Sequence, residues 1–227
     1  MRATTRALRT DYPSPAPVAL TFDDGPDPVW TPLVLEALAS VGAPATFFVI
    51  APRAARYPSL ISSMRDGGHD VALHCVEHTR HDAMTRREIE ADVGAGLLAL
   101  GRSVRYWRTP WGLITPATEE VANRYRLRLV GWTADTEDWR GGTPEAMLAR
   151  IRGGLSPGAI VLMHDGVGPG SERAGCQETV DLVGPLVSAV RSYGLEPARL
   201  DELRHPLPDR NPDFQSGSAR DDRVRGV

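Results

Sequence analysis

The residues best suited to chemistry in this chain begin with two adjacent acids, Asp23 and Asp24, in VALTFDDGPDP (Val18–Pro28). Asp before Gly is common turn chemistry, yet two neighbouring carboxylates at the end of an apolar run repel each other. Farther on, HCVEH sets His74 and His78 four apart. That spacing can put both rings on one face of a helical turn around a single metal ion. A third ligand from an Asp completes a His-His-carboxylate set with open positions, as in catalytic zinc sites. A doubly charged cation between the acids and the histidines removes the repulsion. One Asp can then coordinate while its neighbour stays free to take a proton, and metal-bound water falls from a pKa of about 15.7 to about 7. His164, in MHDG, is a second proton-transfer group if Asp138, in DTEDW, orients and charges it. A base, an acid and a metal around one carbonyl can hydrolyse an amide or an ester.

These groups act together only if the elements carrying them converge. Short apolar runs (PVALTF, ATFFVI, HDVAL, RYWRT, LRLVGWTA, AIVLMH and EPARL) read as strands and alternate with amphipathic, helix-like stretches. Thr31-Pro32, Thr115-Pro116 and Thr143-Pro144 each set a capping hydroxyl before a proline at the first helical position. Thr85 to Glu88 has the spacing of a capping box. Leu33, Val34, Ala37, Leu38 and Val41 share one helical face, as do Met147, Leu148, Ile151 and Leu155. A repeated βα order implies parallel strands, either in an open doubly wound sheet or in a barrel. FDDGPDP stands where a Gly-rich phosphate loop would follow the first strand, which favours the barrel. The expected fold class is therefore α/β, a distorted (β/α) barrel of about seven parallel strands with its metal site at the C-terminal rim. Five of its strand ends carry Asp23-Asp24, His74 with His78, Arg108, Asp135 with Asp138 and Trp139, and His164-Asp165. Residues 1–16 are expected to be a flexible leading segment, 17–203 the folded domain and 204–227 a flexible tail.

Composition narrows the partners. The chain has 227 residues, 41% of them hydrophobic and 24% charged, enough for a sizeable core. A net charge of −3 gives no electrostatic case for nucleic acid or an anionic membrane. No lysine is present, which rules out a lysine Schiff base. Cys75 and Cys176 are too few for a disulfide scaffold, though one bridge stays open. No run approaches the roughly 18 apolar residues of a membrane span. The start carries Arg2, Arg6 and Arg9 but no apolar core before Pro13. The expectation is a cytoplasmic chain, exported only if the sequence has been trimmed. No obligate protein partner is evident.

TFDDGP, HCVEH, RTPWG, DTEDW and VLMHD, in that order, resemble the NodB-homology polysaccharide deacetylases, carbohydrate esterase family four, from about Val18 to Leu203. In layout the chain is most similar to nodulation chitooligosaccharide deacetylases. The resemblance implies a distorted barrel that removes acetyl groups from sugars with one divalent metal ion, Zn²⁺ or else Co²⁺ or Ni²⁺. By position, Asp23 matches the general base, Asp24, His74 and His78 the metal ligands, and Arg108 the residue that tethers the base. His164 matches the general acid and Asp138 its partner. The Trp111 backbone N–H matches the oxyanion donor, and Trp139 and Leu162 the walls around the acetyl methyl. Asp135 either touches substrate or only caps its turn. Cys75 departs from the usual Ser or Thr and supports the loop more weakly. As a neighbour of His74 it points away from the ligand face. Trp111 replaces a more frequent Tyr. His81 reads as solvated, His69 and His205 carry no case, and Cys176 either lines the rim or is a small buried residue opening a helix. The expected reaction is N-deacetylation of an N-acetylglucosamine-containing oligosaccharide or small amino-sugar intermediate. Polymer deacetylation, a non-sugar amidase and a silent sugar-binding relative are the alternatives.

Overall fold

The first strand, β1 (Ala16–Asp23), is buried almost throughout, and its alternation sets the layers. Val18, Leu20 and Phe22 face the core beneath the helices, while Ala19, followed by Thr21 and Asp23, faces the inside of the sheet's curl. The computed structural model describes residues 15–101 and 103–203. Most of the expected leading segment and all of the expected tail lie outside them.

In chain order there follow α1 (Trp30–Ser40), β2 (Thr46–Ile50), α2 (Ala51–Arg56), α3 (Pro58–Asp66) and β3 (Asp70–Cys75). Next come α4 (Arg86–Leu100), β4 (Tyr106–Trp107), α5 (Pro116–Tyr125), β5 (Arg128–Leu129) and β6 (Ala134–Asp135). The described chain ends with α6 (Pro144–Ile151), β7 (Ile160–His164), α7 (Gln177–Ser192) and β8 (Leu195–Ala198). The strands form one sheet in the order β5-β4-β3-β2-β1-β7-β6. β1 pairs with β8 through Ala16–Ala19 and with β7 through Ala19–Asp23. Every pairing is parallel. Among the described residues no pairing joins β5 to β6, so the sheet is a curled half-barrel.

The run LRLVGWTA reads as one strand but forms two, β5 and β6, at opposite ends of the sheet. Arg108 explains the interruption. Its Nε donates to the Val130 carbonyl (3.3 Å) and its Nη2 to the Gly131 carbonyl (2.9 Å), so a side chain occupies the acceptors that a strand neighbour would use.

Most helix starts follow their local chemistry. Thr85 closes a capping box with Glu88, Thr115 accepts from the Thr118 N–H, and Thr143 accepts from the Ala146 N–H. Thr31 differs: it lies inside α1, and its hydroxyl donates to the Asp165 carboxylate. Asp27 does the capping instead, its Oδ1 accepting the N–H of Val29 (2.8 Å) and Trp30 (3.0 Å). Asp27, placed before the helix, reaches those N–H groups with its longer side chain, which leaves the Thr31 hydroxyl to accept the Asp27 N–H (2.8 Å) and to donate to a tertiary partner. Of the predicted α1 face, Val34 and Leu38 are fully buried. Met147, Leu148, Ile151 and Leu155 all join the core.

Candidate active site

At the end of β1 the two acids separate. Asp23 points into the curl, where its Oδ1 accepts a hydrogen bond from Arg108 Nη1 at 2.8 Å. Arg108 is 0% exposed. The same Nη1 donates to the Thr21 hydroxyl at 2.9 Å, and the guanidinium lies 4.2 Å over the Phe48 ring. Burial lowers the Arg108 pKa from its ordinary value, opposed by the Asp23 charge. Asp24 has a φ of 73°, a left-handed conformation that breaks strand alternation. As a result both carboxylates line one cleft.

Asp24 Oδ1 faces His74 Nε2 and His78 Nε2, each at 3.4 Å. The three ligand atoms lie within 4.8 Å of one another. Asp24 Oδ1 is buried and has no hydrogen-bond partner, a costly state for an acceptor unless something else binds it. His74 Nδ1 lies 2.7 Å from the Arg108 carbonyl oxygen, which can only accept. The ring proton therefore sits on Nδ1, and the Nε2 lone pair faces the cluster, the tautomer that suits a metal ligand. One carboxylate and two imidazoles on a buried, unpartnered oxygen fit a divalent cation.

The histidines do not share a helical turn. His74 belongs to β3, and His78 follows in the loop beyond it. Two features bring them together. Val49 pairs with Leu73 but Ile50 pairs with Cys75, so His74 is the extra residue of a bulge, a device that re-aims side chains. The loop is then pinned by Asp92 on α4, whose carboxylate accepts the N–H of Val76 (3.0 Å) and Glu77 (2.7 Å). The Trp111 ring packs edge-on against His78 at 4.4 Å between centroids.

Across the cleft, His164 Nδ1 bonds Asp138 Oδ1 at 2.7 Å. Asp138 Oδ2 accepts the His164 backbone N–H (2.8 Å) and the Thr179 hydroxyl (2.7 Å), and pairs with Arg173 Nη1 (3.2 Å). Burial disfavours charge on His164, but the Asp138 carboxylate beside it overcomes this and pushes the imidazole up to about 9. Burial likewise opposes charge on Asp138, and the His164 charge and hydrogen bond outweigh it, bringing the carboxyl down to about 2. The pair is an imidazolium and a carboxylate near neutral pH.

The cleft encloses about 190 Å³. Trp111, Trp132, Trp139 and Leu162 wall it, with the two acids, the two histidines and His164 around the base. Asp135 lines the cleft and also caps its turn, accepting the Glu137 N–H at 2.8 Å.

Residues 11–130 match the family model described as polysaccharide deacetylase. A chitooligosaccharide deacetylase of Bradyrhizobium is 35% identical, covering 84% of this chain and 89% of its own length. The chain belongs to the polysaccharide deacetylase family. A peptidoglycan-N-acetylglucosamine deacetylase of Bacillus cereus is 31% identical, over 82% of this chain and 87% of its own. Among solved structures, a family four carbohydrate esterase from Streptomyces lividans, in complex with acetate, superposes with a TM-score of 0.73 at 26% identity. That match covers 82% of this chain and 93% of the other.

Several supporting residues of this deacetylase have little signature in its sequence. Asp92 had one, an acid beside Val93 on the stripe where Ile89, Val93 and Gly96 are buried. Arg173 and Thr179 follow an irregular glycine-rich loop and had none. His81 is buried rather than solvated, with Nδ1 2.9 Å from the Thr118 hydroxyl and its ring beside Trp107. Burial drops its pKa to about 4. His69 is buried too, its Nδ1 accepting the Ala45 N–H, while His205 lies outside the described residues. Cys75 and Cys176 are free and buried. Cys75 is no member of the ligand cluster. Cys176 precedes α7, and burial pushes its thiol up to about 12.

Proposed function

We propose that the chain is a metal-dependent N-deacetylase of N-acetylglucosamine-containing oligosaccharides or small amino-sugar intermediates, releasing acetate. One observation carries the reading: the adjacent acids have separate partners, Asp23 with Arg108 and Asp24 with two histidines. In this reading Asp24, His74 and His78 hold one divalent ion, with Zn²⁺ first for a carboxylate and two imidazoles. Such an ion supplies Lewis acidity to the acetyl carbonyl and to the attacking water. Asp23, fixed by Arg108, takes the water's proton. The Trp111 N–H, on a turn with φ 53° at the cleft wall, donates to the developing oxyanion, and one such donor is typically worth about 2.7–4 kcal/mol. Trp139 and Leu162 receive the methyl group. His164, charged by Asp138, protonates the departing amine, which otherwise leaves poorly.

The substrate class follows from the relatives, whose names cover both chitooligosaccharides and peptidoglycan. The deciding measurement is acetate release from N-acetylglucosamine oligomers of two to four sugars, against chitin and peptidoglycan, with and without a chelator. Release should be fastest from the oligomers, stop on chelation and return with Zn²⁺, and Asp23→Ala should lower it by about 10²–10⁴-fold. Faster release from the insoluble polymers overturns the substrate. Release that survives chelation overturns the metal's role, and none from any sugar leaves the non-sugar amidase or the silent relative.

A further inference from the structure

Arg53, on α2, belongs to none of the motifs above, yet it grips the cleft from behind. Its Nη1 donates to the Asp24 carbonyl at 2.9 Å and its Nη2 to the Val167 carbonyl at 3.0 Å. The guanidinium therefore forks between the loop that presents Asp24 and the loop that follows His164. The Asp165 N–H joins the same loops again, donating to the Asp23 carbonyl at 3.2 Å. Glycine makes this approach possible. A Cβ on Gly166 would meet Arg53 Nη1 and the Asp24 carbonyl oxygen, both at 2.8 Å, and one on Gly168 would overlap the Asp24 carboxylate.

Asp24 needs such a grip. Its φ of 73° is unfavourable for a residue with a side chain and persists only where the surroundings over-determine it. Relaxing that φ rotates the side chain and the carbonyl of residue 24 together about the N–Cα bond, carrying the carboxylate away from His74 and His78, and this carbonyl is the group Arg53 holds. We propose that Arg53 is a positioning residue that fixes Asp24 for metal binding. This rests on the metal-dependent reading of the site. Lysine cannot replace it, because one ammonium lacks the rigid fork that spans two carbonyls.

The test titrates wild type, Arg53→Met and Arg53→Lys with Zn²⁺ alone, against a chromophoric chelator, after near-UV circular dichroism has shown each to be folded. Arg53→Met should bind Zn²⁺ about 10–100-fold more weakly, the usual effect of losing a group that orients a ligand. Arg53→Lys should fall between it and wild type. A role confined to stability would lower the melting temperature and leave the affinity of the folded variants unchanged. Wild-type affinity in either folded variant overturns the proposal, and where Arg53→Met does not fold, Arg53→Lys decides. A wild-type chain that binds Zn²⁺ while both variants match it sinks this inference alone. A wild-type chain that binds no Zn²⁺ sinks the metal-dependent reading with it.

Discussion

Two buried ion pairs divide the labour around the cleft, and each is anchored by more than its own charge. Asp23 depends on Arg108, and His164 depends on Asp138, whose other oxygen is held by the His164 N–H, Thr179 and Arg173. The second pair has a consequence for pH. His164 must be protonated to act as an acid, and its raised pKa keeps that form present below about 9 and loses it above. Removing the Asp138 charge removes the interaction that lifts the pKa against burial. Asp138→Asn should therefore move the alkaline limb of the kcat profile to lower pH, by about 1–3 units for the loss of an adjacent opposite charge. A profile measured with Zn²⁺-loaded protein checks this, and an unmoved limb would exclude His164 as the acid.

Elements matter here mostly where they break their own rules. β3 carries a bulge at His74, β1 ends in a left-handed Asp24, and the fifth predicted strand is split between the two ends of the sheet. All three irregularities lie beside the cleft, where local strain and interrupted ladders are most often found. The split has a test of its own. Arg108 donates to the Val130 and Gly131 carbonyls and pairs with Asp23, all buried, so a neutral side chain strands three acceptors at once. Arg108→Met should cost about 3–5 kcal/mol, the usual loss when one partner of a buried pair is removed. Urea unfolding measures it. A loss near zero would mean that the 130–133 segment holds its course without the guanidinium.

At the scale of the molecule, the ligands of the proposed ion come from two strand ends on neighbouring parts of one sheet, β1 and β3 with its following loop. An ion bound there ties residue 24 to residues 74 and 78 in the folded state and has no assembled site in the unfolded one. Binding then adds to global stability by mass action. With free Zn²⁺ at about 100 times its dissociation constant the gain is about 2.7 kcal/mol, and it should vanish in His78→Ala. Denaturation with and without the metal reads both. None of the described helices is long and apolar enough to cross a membrane.

The sequence by itself determined the parallel βα order, most helix starts and several of the residues around the cleft, though not Trp132, which also walls it. These rest on local facts: apolar period, capping hydroxyls, and the chemistry of acids and imidazoles at strand ends. Asp24, His74 and His78 were legible as a set, and so was the pairing of His164 with Asp138. Only the tertiary structure decided how they are aimed. The bulge at His74, the turn at Asp24, the burial of His81 and the diversion of Thr31 to Asp165 all depend on partners tens of residues away. Asp92, Arg173 and Arg53 likewise hold backbone groups of other segments, 16, 9 and 29 residues away. A side chain that binds a distant carbonyl or N–H leaves no period and no spacing in its own neighbourhood, so its role becomes visible only once the chain has closed around it.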